Sequence, residues 1–214
     1  MSAQAVIGFA GMTHLGLVSG IAASEKGFEV VCFDTDATRI APIRAGRLPV
    51  SEPQLDALAE KNTARLSFTS QASDLARCDV IYVAPDVPTN DQGASDIRPI
   101  ESMLQAVFAA ARPDASVVLL SQIPPGFTRA HQTAGRTLYC QVETLIFGRA
   151  VERALYPERT IIGWGNHGRH LARDRAVLDL CGEAGSPLHV LGITASGAPR
   201  HPLYVPYTQA PVPF

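Results

Sequence analysis

A short apolar run, Ala5 to Ala10, breaks at Gly11-Met12-Thr13-His14-Leu15-Gly16 and reopens as a helix-periodic stretch that reaches Lys26. A strand, a glycine turn and a helix start in that order constrain the fold more than any other feature of the chain. In such a unit the first glycine permits a tight turn, the last lets helix and strand pack closely, and the helix amides face an anion. The next apolar run, Glu29 to Phe33, ends on Asp34. That is the spacing at which a carboxylate takes the ribose hydroxyls of a dinucleotide.

The remaining chain repeats the same alternation. Strands are predicted at Leu66 to Thr69, Val80 to Ala84 and Ser116 to Ser121, and more weakly at Thr137 to Val142 and Thr160 to Gly163. Helices are predicted at Thr13 to Lys26, Ala37 to Ala45, Gln54 to Glu60, Ile100 to Arg112, Arg149 to Leu155 and Gly168 to Cys181. Alternating elements of this kind predict an α/β fold of the Rossmann type, a doubly wound, mostly parallel sheet with helices on both faces. Residues 1–191 are expected to form that domain. From Gly192 to Phe214 there are five prolines, no acidic residue and no helical period, so an extended or disordered tail is expected there.

The residues of the turn point to NAD as the cofactor, through Gly11, Thr13, His14, Leu15, Gly16 and Asp34. Thr13 stands where the fingerprint has its middle glycine, which puts a Cβ beside the phosphates, although its hydroxyl can donate to a phosphate oxygen. A carboxylate at Asp34 repels a 2′-phosphate, which favours NAD over NADP, and Arg39 one turn later partly offsets this. The competing reading is a ligand-free layer of the same architecture in which Asp34 only caps the next helix, with His14 a surface residue.

Composition narrows the partners. With 18 basic and 20 acidic residues the chain has no basic field for nucleic acid or anionic lipid. No apolar run is long enough to span a bilayer and no leader pattern opens the chain, so a cytoplasmic location is expected. Cys32, Cys78, Cys140 and Cys181 are scattered without C-x-x-C spacing and read as buried, reduced thiols. No residues are assigned to a metal.

Six blocks, in order, carry a resemblance to a known family: the glycine turn with Gly16-Leu17-Val18-Ser19-Gly20; Gly46 to Pro49 with Glu52-Pro53; Pro88 to Asp96; Ser121 to Thr128; Gln141 to Gly148; and Pro157 to Gly163. The chain from about Val6 to Gly163 resembles the NAD-binding domain of the UDP-glucose/GDP-mannose dehydrogenase family. That resemblance implies a two-step, NAD-dependent oxidation of a nucleotide-sugar C6 alcohol to the acid, through an aldehyde and a cysteine-bound thioester. It implies that Glu143 handles water and proton traffic, that Gln122 replaces the threonine that orders the catalytic water, that Ser121 and Pro124 lie near the nicotinamide, and that Pro88 binds the cofactor. Pro85-Asp86-Val87-Pro88 departs from the family's Val-Gly-Thr-Pro.

The family's second domain carries a lysine, an asparagine and the nucleophilic cysteine, and no match to that cysteine loop follows here. The chain has only two lysines, Lys26 and Lys61. Cys140, three residues before Glu143, is the one cysteine kept as an outside candidate nucleophile. The expectation is therefore the NAD-binding domain of a nucleotide-sugar 6-dehydrogenase of polysaccharide biosynthesis, catalytically incomplete alone, with the fading match after Leu188 fitting a truncation. The alternative is a non-catalytic NAD-binding module or partner subunit. A UDP- or GDP-sugar is the expected substrate once a second domain completes the site, and homo-oligomerisation stays open.

Overall fold

The computed structural model describes residues 4–88, 92, 95–124, 126–132, 136, 138–141, 145–156, 160–183, 185, 187–206 and 208–214. Its chain divides into two compact units, residues 1–156 and 157–214.

The first unit holds β1 (Val6–Ala10), α1 (His14–Glu25), β2 (Glu29–Phe33), α2 (Ala37–Arg44), α3 (Leu55–Lys61), β3 (Leu66–Thr69) and β4 (Val80–Val83). It continues with α4 (Arg98–Ala110), β5 (Ser116–Leu119), α5 (Phe127–His131), β6 (Leu138–Cys140) and α6 (Ala150–Leu155). The six strands are ordered β3-β2-β1-β4-β5-β6, and every pairing is parallel. This is the doubly wound order in which strand addition switches from one side of β1 to the other, and the crevice over the carboxyl ends of β1 and β4 is where such folds bind ligands.

The strand residues explain the two-faced burial. On β2, Val30 and Cys32 join one apolar cluster with Leu17, Val18 and Ile21 of α1 and Val151 of α6. Val31 and Phe33 point the other way, into a second cluster with Ile100, Leu104 and Val107 of α4 and Val117 of β5. Alternate side chains thus bury against helices on opposite faces, which is why the run reads as continuously apolar. Each fully buried aliphatic side chain adds about 1.5–3 kcal/mol. Helix α1 sits tight on the sheet because Gly20 has no side chain. A Cβ there would lie 2.7 Å from the Cys32 sulfur.

The second unit contains β7 (Thr160–Ile162), α7 (Arg173–Glu183), β8 (Leu188–Val190) and β9 (Val212–Pro213) in a separate three-stranded sheet. Within the segment expected to be extended or disordered, the described residues make a few backbone pairings. Val190 pairs antiparallel with Val212, Ile193 bridges Pro199, and Ala198 is buried. Proline cannot donate to a ladder but can sit on an edge strand, which is how Pro213 is accommodated. The first compact unit ends at Tyr156.

Two of the four cysteines match the buried reading and two depart from it. Cys32 and Cys78 are buried, and burial raises both thiols, that of Cys78 to about 11. Cys140 is exposed as a residue and Cys181 half-buried. Partial enclosure of its sulfur still holds the Cys140 thiol above its ordinary value. Among the described residues, no helix is long and apolar enough to cross a membrane.

Candidate functional site

Two loops meet at the carboxyl ends of β1 and β4. Gly11 takes a left-handed φ of 105°, and its amide donates to the Phe33 carbonyl at 2.8 Å. A Cβ on Gly11 would fall 2.6 Å from the Pro85 nitrogen, so the loop after β4 closes directly on this residue. Gly16 is tighter still, because a Cβ there would lie 1.9 Å from the Gly11 carbonyl oxygen. Both glycines are thus required by backbone contact.

Asp34 lies at the end of β2 and is 1% exposed. Its carboxylate accepts from the Met12 amide at 2.7 Å, from the Asp36 amide at 2.9 Å and from the Arg39 guanidinium at 2.8 Å. The glycine turn is therefore pinned to the β2 end by a buried carboxylate, with Arg39 supplying the countercharge. Asp36, not Asp34, caps α2 through the Thr38 amide.

Thr13 is the N-cap residue of α1, but its hydroxyl makes no cap bond. Instead it accepts from the Asp86 amide at 2.8 Å. The capping is done from the other loop, where the Asp86 carboxylate accepts from His14 N–H at 3.1 Å and Leu15 N–H at 3.3 Å. These are the amides a dinucleotide pyrophosphate would use at such a helix start.

His14 turns its imidazole away from that position. It is buried, pairs with Glu52 at 2.9 Å and stacks on Phe147 with ring centroids 4.2 Å apart. Glu52 also accepts from the amides of Gly148 and Ala150 at 3.0 and 3.3 Å, tying the connector before α3 to the start of α6. Burial alone would raise the Glu52 pKa, but hydrogen bonds from His14, Gly148 and Ala150 outweigh it and hold the carboxyl below the usual range. Among the described side chains this is a structural clamp, with Phe147 exposed at its edge.

Ser121 is buried at the end of β5 and its hydroxyl donates to the carbonyls of Pro85 and Val83. It positions the loop after β4. Gln122 beside it is exposed, as is Pro88, whose carbonyl accepts from the Asp96 amide. Glu143 lies outside the described residues.

The structure thus brings together Gly11, Thr13, His14, Leu15, Gly16, Asp34 and Arg39, and links Ser121 to them through Pro85. Sequence reading missed the parts played by Asp86 and Glu52. The available signal for Asp86 was an acid in the loop directly after a parallel strand, at the same sheet end as the glycine turn. Glu52 carried only its place in the Glu-Pro connector.

The comparisons agree with this architecture. Residues 5–177 match the family described as UDP-glucose/GDP-mannose dehydrogenase family, NAD binding domain. A UDP-glucose 6-dehydrogenase of Bacillus subtilis is 37% identical over 119 residues, which is 54% of this chain and 27% of the relative. The UDP-glucose 6-dehydrogenase of Rickettsia typhi is 30% identical over 169 residues, covering 75% of this chain and 39% of the relative. A solved UDP-glucose dehydrogenase from Pyrobaculum islandicum superposes with a TM-score of 0.70 at 27% identity, over 87% of this chain and 46% of that one. The chain spans well under half the length of the curated relatives it matches.

Proposed function

Because the chain belongs to the UDP-glucose/GDP-mannose dehydrogenase family, as its NAD-binding domain, we propose that it serves as the cofactor-holding half of a nucleotide-sugar 6-dehydrogenase. The observation that carries this reading is the glycine turn at the β1–β4 switch point, where Gly11 and Gly16 leave no room for a side chain. That backbone frame suits a dinucleotide, whose nicotinamide accepts hydride. The substrate class is a UDP- or GDP-sugar, and the location cytoplasmic.

The residue roles in this reading draw on the geometry of the turn and on the family resemblance. Gly11 and Gly16 shape the turn, Asp34 pins it to the end of β2 where the ribose would lie, and Ser121 fixes the facing loop through Pro85. Gln122 is exposed beside Ser121, where its amide can hydrogen-bond water, and Glu143 is assigned the proton traffic by its family position. The alternative, a module that binds NAD without chemistry of its own, is favoured by the burial of Cys32 and Cys78, which keeps both thiols away from any substrate.

Cofactor choice tests the assignment of Asp34. Calorimetry with the intact chain should give tighter binding for NAD than for NADP, since a 2′-phosphate would approach the Asp34 carboxylate. Arg39 is the nearby cation that softens this repulsion, so Arg39→Ala should widen the gap. Equal affinities in the unsubstituted protein would remove Asp34 from the ribose site.

A further inference from the structure

Resting on the NAD reading above, we propose that Asp86 is an internal competitor for the dinucleotide pyrophosphate, a built-in anion that must leave the start of α1 before the cofactor can seat.

Its two carboxylate oxygens accept from His14 N–H and Leu15 N–H, one oxygen to each amide. Backbone amides at a helix start carry partial positive charge and attract an anion. Here the anion is supplied by the chain itself, from a residue 72 positions away in sequence from His14. The pyrophosphate and the Asp86 carboxylate cannot both take the same N–H groups, and two anions in one cradle also repel. The backbone frame therefore fits a dinucleotide while its anion seat is already filled.

The two departures from the fingerprint turn out to be one feature. Thr13 stands where the turn has its middle glycine, and Asp86 stands where the facing loop has a small residue. In the structure the Thr13 hydroxyl accepts from the Asp86 amide at 2.8 Å. Thr13 is thereby drawn out of its own capping role, and its bond holds the Asp86 backbone where the side chain reaches the helix. Asp86 is itself exposed, so no packing traps it in place. The contact can open when a stronger anion arrives.

The test uses the full chain and its Asp86→Asn and Asp86→Gly variants, titrated with NAD, inorganic pyrophosphate and adenosine. Calorimetry reads affinity, and the amide resonances of His14 and Leu15 report the location. Asp86→Gly should bind NAD and pyrophosphate at least tenfold tighter than the parent, with adenosine unchanged because it has no phosphate. Asp86→Asn keeps an oxygen acceptor without the charge and should fall between them, which covers any loss of folding in the glycine variant. Pyrophosphate should shift the His14 and Leu15 amides in Asp86→Gly and not in the parent at the same concentration. Parent affinities equal to or tighter than those of both variants would overturn the proposal, as would pyrophosphate failing to reach those amides in either. If pyrophosphate binds there in the variants while NAD binds to none of the proteins, the competition stands and the cofactor reading falls.

Discussion

Incubated with UDP-glucose and NAD, the isolated 214-residue chain should form no detectable NADH at the stoichiometry of two per sugar. The chemistry sets this expectation. Oxidising the alcohol moves one hydride, and the second hydride can leave only after a thiolate has added to the aldehyde carbon to give a thiohemiacetal. That addition requires a cysteine whose thiol ionises readily beside a base or cation. Cys32 and Cys78 are buried with raised thiols, and Cys140 has its thiol raised as well.

No lysine is placed to steady the oxyanion either. Lys61 is bonded to Glu25 at 2.6 Å, and Lys26 lies at the far end of α1 from the glycine turn, roughly 18 Å away for a helix of this length. A single oxyanion donor is worth on the order of a hundredfold in rate, so losing nucleophile and cation together removes several powers of ten. Following absorbance of NADH checks this, repeated after adding the second half of a related enzyme as a separate chain. Steady production of two NADH per sugar by the chain alone would contradict it, and loss of that activity in Cys140→Ser would identify the nucleophile.

The second large effect is on stability. Gly16→Ala should lower the unfolding free energy by about 3 kcal/mol or more, or prevent folding. The added Cβ would sit 1.9 Å from the Gly11 oxygen and 3.1 Å from the Gly11 carbonyl carbon. Neither atom can yield, because Gly11 is held by its bond to the Phe33 carbonyl and by the closed approach of Pro85. Domains of this kind have only about 5–15 kcal/mol in total, so the loss is a large share. Denaturant unfolding measures it. Gly182→Ala in α7 is the control, since nothing lies within 4 Å of a Cβ there and the helix should gain up to about 1 kcal/mol. A Gly16→Ala protein within about 1 kcal/mol of the parent would show that the turn relaxes and that the close approach is unimportant.

The strand and helix pattern was legible because each β-branched run must bury on both faces and each helix on one. The predicted strands at Ala5 to Ala10, Glu29 to Phe33 and Ser116 to Ser121 correspond to β1, β2 and β5 within two residues. The parallel order was legible from the alternation itself, because a crossover helix brings the next strand back in the same direction. In the proline-rich segment the pairing of Val212 and Pro213 with β8 could not be read from the sequence, because two residues need only one edge of a neighbouring strand and leave no period of their own. The short β8 was not predicted, since its three residues Leu188-His189-Val190 carry a histidine at the centre and only one β-branched residue.

At the site, local spacing revealed the residues of one loop and hid those that act across the fold. Gly11, Gly16 and Asp34 follow one another within a single strand–helix–strand unit, so their roles could be read along the chain. Asp86 acts on His14 from the loop after β4, and Glu52 reaches Gly148 across 96 positions of sequence. Thr13 and Asp86 each read as an isolated departure from the fingerprint. Only the topology that sets β4 beside β1 shows that they are bonded to each other.

NAD is expected to seat over the carboxyl ends of β1, β2 and β4. Titrating isotopically labelled chain, parent and Asp86→Gly, with NAD while following backbone amide resonances tests it most directly. The predicted result is saturable shifts concentrated at Gly11 to Gly16, Asp34 to Arg39 and Ala84 to Asp86, appearing at lower NAD concentration in the variant. Absence of shifts in both proteins at saturating NAD, or shifts confined to other faces of the sheet, would contradict it.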